Sequence, residues 1–124
     1  MNLFLTNARL IDPEGGTENV GALRIEDGRI AELVYGGNPD LGIETLDCGG
    51  KCLAPGIVDI GVKIGEPGER HKESFRTAGQ AAAAGGVTTM VTRADTTPAI
   101  DSPETLEFVT RRAEQMSPVR IAPM

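Results

Sequence analysis

The stretch PGIVDIGVKIGEPGERHKES, residues 55–74, gathers several side chains that could do chemistry. It reads as a buried β-strand that breaks into a loop of Gly, Glu and Pro, and such a strand end is where an α/β barrel keeps its reactive groups. Asp59 and Glu66 form a nominal acid/base pair, and Asp59 stands two positions from Gly61, a spacing that puts both on one side of a regular strand. Carboxylates are common at a barrel rim, and nothing else in the sequence supports a catalytic role for either. His71, the single histidine, lies between Arg70 and Lys72. Those charges disfavour a metal ion beside it, so it is expected in a solvated loop. Cys48 and Cys52 in CGGKC could open a zinc site, but with one histidine a tetrahedral Cys/His centre would need a ligand from elsewhere. Two reduced, partly buried thiols are the expectation. AAAAGG is no phosphate loop, because a helix precedes its glycines instead of following them.

The chain that must position these groups has 124 residues and a net charge of −6 without a basic stripe. That argues against nucleic acid and against an anionic membrane surface, both of which reward clustered Lys and Arg. MNLFLTNARLID lacks the basic and long apolar segments of a signal peptide, and no apolar run approaches a membrane span. A cytoplasmic protein is expected. Aromatic residues make up 3% of the chain, so its core must rest on Val, Ile, Leu and Ala. A complete eight-stranded barrel takes about 250 residues, so one cannot fit here.

Two periodicities divide the chain. Residues 1–54 read as β structure: LFLTNARLID and ALRIEDGRIAELVY carry short apolar runs, Asp27-Gly28 is a hairpin signal, and DPEGG, YGGNPD and DCGGK supply further turns. A small antiparallel sheet, one layer of a sandwich, is predicted. Residues 55–124 alternate strand and helix. A strand over 56–63 leads through a loop to a helix over KESFRTAGQAAAA, with Phe75, Ala78 and Ala82 on one face and Gly85-Gly86 as its stop. VTTMV is the second strand. Ser102, Pro103 and Glu104 start a second helix, along which Leu106, Val109, Ala113 and Met116 recur at helical spacing. VRIAPM begins a third strand. This order demands parallel βαβ crossovers, and a bare edge on the third strand points to a larger parallel structure.

LAPGIVDI, EPGERHKES, AAAAGGVTTMV and TTPAIDSPETLE, in this order behind a β-rich segment, resemble the dihydroorotase branch of the cyclic amidohydrolases. The fold this implies is α/β: a β-rich, sandwich-like segment over 1–54, then two βα units and the third strand of an incomplete TIM (β/α)8 barrel over 55–124. The family carries a His-x-His pair on the first barrel strand, where both imidazoles reach one zinc ion that activates water and polarises the ring amide. Those positions here are Gly61 and Lys63. The family arginine that grips the substrate carboxylate falls at Gly65, and the asparagine that assists it falls at Asp95. Four losses together imply an inactive relative, with no catalytic residue and no metal or cofactor held by this chain.

Lys63 is expected to pair with Asp95 in place of the metal's charge, with Arg93 helping to neutralise Asp95. A carbamylated Lys63 is the other option, but the family's modified lysine lies on a later strand. Some metal-free members of this family serve as structural partners of aspartate carbamoyltransferase, so the resemblance implies an assembly role, either as an oligomer or as part of a larger chain. Two rivals stand beside it. One is an active amidohydrolase that hydrolyses a ring amide with ligands from outside this segment. The other is a truncated, non-functional product, poorly soluble because its strand edges are open.

Overall fold

The structure, a computed structural model, describes residues 2–36 and 42–124. The turn assigned to YGGNPD lies from Gly37 to Asp40 outside the described residues. The contacts divide the chain into two units, one ending at Pro55 and the other spanning Gly56–Met124. That boundary falls one residue beyond the one expected after Ala54.

The first unit is a single five-stranded sheet: β1 (Asn2–Asp12), β2 (Thr17–Glu26), β3 (Arg29–Val34), β4 (Glu44–Asp47) and β5 (Cys52–Leu53). Asp27 and Gly28 both take positive φ, 49° and 75°, the geometry that joins β2 and β3 in a tight hairpin. The expectation of an antiparallel sheet needs correction. β4 and β5 both pair with β1 in parallel, because the chain leaves β3 at one edge and returns at the other running in the direction of β1. Ala8, Leu10 and Leu23 form the buried cluster, with Leu5, Ile25, Cys48 and Leu53 packed against it. Cys48 is thus half-buried, as expected, whereas Cys52 is exposed against the expectation; neither is in a disulfide.

The second unit is a parallel three-stranded sheet in the order β6 (Ile57–Val62), β7 (Val87–Thr92), β8 (Arg120–Pro123), crossed by α1 (Phe75–Ala84) and α2 (Pro103–Met116). Ile64, Phe75, Ala78, Met90, Val109, Ala113 and Ile121 form its core. Leu106, on the same helical spacing, is 45% exposed, because only the C-terminal half of that stripe meets the sheet. Helix α1 begins three residues later than its pattern suggests. Ser74 is the N-cap: its Oγ accepts the Thr77 N–H, and the Thr77 hydroxyl accepts the Ser74 N–H in return. Ser74→Ala is expected to lower stability by about 1 kcal/mol in a urea titration, whereas Ser74→Asp retains most of it. An unchanged midpoint for the alanine variant would remove this account of the helix start. Ile57, Val58 and Ile60 of β6 are all more than half exposed, so this edge strand is open on both faces.

Candidate functional site

The end of β6 is irregular. Asp59 pairs with Met90 and Ile60 with Val91, and the register then skips Gly61 to set Val62 opposite Thr92. Gly61 is the extra residue of a β-bulge and has φ +86°. The bulge breaks the alternation that placed Asp59 on the side of Gly61, so these two do not face one way. Asp59 is simply exposed. Beyond the bulge, Val62 and Ile64 pack into the helix-covered core, and alternation sends Lys63 to the other side.

Lys63 meets the end of β7 there. Its Nζ lies 3.7 Å from Asp95 Oδ2. Arg93 holds the same carboxylate in a fork, Nε donating to Oδ1 at 3.1 Å and Nη2 to Oδ2 at 2.8 Å. The Arg93 N–H donates to the Val62 carbonyl at 2.9 Å, which ties the two strand ends together. All three side chains are exposed, so the cluster orders the rim more than it stabilises the fold.

Partial desolvation pushes the Asp95 carboxyl up, but it is overcome by the Arg93 hydrogen bond and then by the charges of Arg93 and Lys63, and the group is held below the usual carboxylate range. A depressed folded value means that the stabilisation exists above the ordinary aspartate range and is lost as pH falls through the lowered one. A carboxyl-detected NMR titration should find the Asp95 midpoint below the usual aspartate range. Arg93→Gln should move it upward; an unmoved midpoint would show that the fork is not formed in solution.

The residues present do not fit a family-type metal. Gly61 offers no ligand atom, and its left-handed backbone conformation is one that L side chains rarely adopt. Lys63 brings an ammonium already committed to Asp95. At Gly65, an added Cβ would sit 2.6 Å from the Glu69 carbonyl oxygen and 2.9 Å from that of Glu73, because the following loop folds over it. The Glu69 N–H donates to the Gly65 carbonyl at 2.6 Å. Among the described residues there is no group of three or more His, Cys, Asp or Glu arranged to hold a metal ion. His71 is exposed in its loop.

The sequence presents Glu66 only as a rim carboxylate paired in name with Asp59, and its burial escaped that reading. Glu66, its side chain 6% exposed, accepts from Arg112 Nε at 3.1 Å and from the Phe75 N–H, the first of α1, at 3.1 Å, with Arg70 Nε at 3.9 Å. It thereby fastens the β6 loop to both helices. The stretch EPGER contains the carboxylate and the more distant Arg70 but not Arg112, the hydrogen-bonded partner, which stands 46 residues away.

The Gly56–Met124 unit is thus a parallel α/β half-structure whose strand ends form a rim, and this architecture is shared with amidohydrolases. The L-hydantoinase (dihydropyrimidinase) from Arthrobacter aurescens superposes with a TM-score of 0.84 at 27% identity, covering 98% of this chain and 27% of that one. Residues 50–124 match the family model described as dihydro-orotase-like, and the chain belongs to that family. It is 44% identical over 119 residues to the dihydroorotase of Wolbachia sp. subsp. Brugia malayi, covering 93% of this chain and 27% of that protein. To the dihydroorotase of Streptococcus pneumoniae serotype 4 it is 42% identical over 111 residues, covering 90% of this chain and 26% of that protein. The chain therefore spans about a quarter of the length of these relatives. No described helix is long and apolar enough to cross a membrane.

Proposed function

We propose that this chain is a non-catalytic member of the dihydroorotase-like family, the opening part of a (β/α)8 barrel, and that it serves pyrimidine biosynthesis as a structural partner of aspartate carbamoyltransferase. The observation that carries the reading is the rim itself. Where the family would hold a divalent cation and a substrate carboxylate, this chain has a bulged glycine, a Lys63–Asp95–Arg93 charge cluster and a glycine roofed by its own loop. A cluster that carries its own positive charge takes the electrostatic place of a cation and has no use for one. The both-sided exposure of β6 supports the larger barrel, since parallel sheets are covered on both faces.

Analytical size exclusion of the complete gene product, with and without the aspartate carbamoyltransferase of the same organism, tests the assembly role. Co-elution at fixed stoichiometry is the expected result, and separate elution overturns it. A second reading, a working hydrolase of a ring amide with metal ligands from beyond these residues, draws on the dihydroorotase relatives and on the quarter of their length spanned here. Stoichiometric zinc in the complete product would favour it.

A further inference from the structure

Helix α1 begins in an unusual electrostatic setting. Its first turn contains no acidic residue, and Arg76 stands at its second position, next to the positive end of the helix dipole. A cavity of about 150 Å³ opens beside this end, lined by Glu66, Arg70, Ser74, Arg76, Arg112 and Met116. Three guanidiniums therefore face one carboxylate, in a protein whose overall charge is −6. Glu66 does not balance them. Its oxygens are occupied by Arg112 and the Phe75 N–H, and Arg70 stays at 3.9 Å. Arg76 forms no ion pair among the described residues; its one contact of this kind is Nη2 to the Met116 sulfur at 3.9 Å. Glu69 and Glu73, the other carboxylates of the loop, do not line the cavity, and Glu69 is held by Lys72.

We propose that this cavity is a binding site for a small oxyanion, a phosphate or carboxylate group, held by Arg70 and Arg76 over the Arg112–Glu66 pair. Planar guanidinium forks match either oxyanion, and an anion here would relieve the repulsion among the arginines, which Glu66, already bonded to the first N–H of α1, leaves unbalanced. The buried Glu66 fixes Arg112, so one wall of the site is preorganised, while Arg70 and Arg76 are exposed and free to close. The site stands apart from the Lys63–Asp95 rim and holds whether or not the protein is an enzyme.

Thermal unfolding of the full chain in inorganic phosphate or succinate, against chloride at equal ionic strength, is the test. Saturable protection by phosphate alone assigns a phosphate group, and protection by succinate alone a carboxylate. Protection should weaken about tenfold in midpoint concentration for Arg76→Gln, the loss of one charge-assisted hydrogen bond. Arg76→Gln leaves the Glu66 pair intact, so it should fold, and Arg70→Gln gives an independent repeat. Equal melting in all three salts, or protection that both variants retain undiminished, overturns the proposal.

Discussion

Glu66→Ala is expected to destabilise the Gly56–Met124 unit by about 3–5 kcal/mol, a large share of a domain's total stability. The carboxylate is 6% exposed, and removing it leaves Arg112, itself only 26% exposed, without its partner and the Phe75 N–H without an acceptor. The second helix loses its only ion pair to the β6 loop among the described residues. Arg70→Ala serves as the control. Its guanidinium is 62% exposed at 3.9 Å, so that change should stay within about 1 kcal/mol. Arg112→Ala should cost less when Glu66 is already alanine, because the buried charge it would strand is gone. Denaturant titrations of the four variants measure all of this. A loss below about 1 kcal/mol for Glu66→Ala would show that the pair is not a structural fastener.

Restoring the family's residues should not restore the family's metal. Gly61→His, Lys63→His, Gly65→Arg and Asp95→Asn together put every missing side chain back, yet two of them enter a backbone that has no place for them. A histidine at φ +86° is strained by about 1–2 kcal/mol. An arginine at position 65 must displace the Glu69 carbonyl and the turn it closes, at about 1–3 kcal/mol. The expected outcome is a melting temperature lower by several degrees and no stoichiometric zinc by elemental analysis. Lys63→His with Asp95→Asn alone should leave the melt nearly unchanged, since both side chains are exposed. Tight zinc binding by the fourfold variant at undiminished stability would mean that the losses were side-chain deep.

That distinction marks what the sequence made legible. The alternation of strand and helix after Pro55 and the capping residues Ser102 and Pro103 were visible because each rests on local chemistry, whereas positions 61 and 65 were singled out by the family resemblance alone. The start of α1 was missed because its capping box uses Thr77 in place of Glu or Gln. The parallel course of β4 and β5 was missed because turn residues report direction reversals and carry no sign of a return to the far edge. The bulge at Gly61 was hidden for another reason: period-two alternation assumes a regular strand, and one inserted residue undoes it without altering composition. The Glu66–Arg112 pair spans 46 residues, a distance over which a single sequence contains no pairing signal. Lys63 and Asp95 were named together from strand-end positions, and their 3.7 Å separation comes from the parallel pairing of β6 with β7.

The central claim is that the rim has exchanged metal chemistry for a charge cluster in which Lys63 and Arg93 share the one carboxylate of Asp95. Its most direct test is turnover of dihydroorotate by the complete, purified gene product supplied with excess zinc. We expect no hydrolysis above the uncatalysed rate. Zinc-dependent turnover that chelation abolishes would contradict the account and establish a working hydrolase whose ligands lie outside these residues.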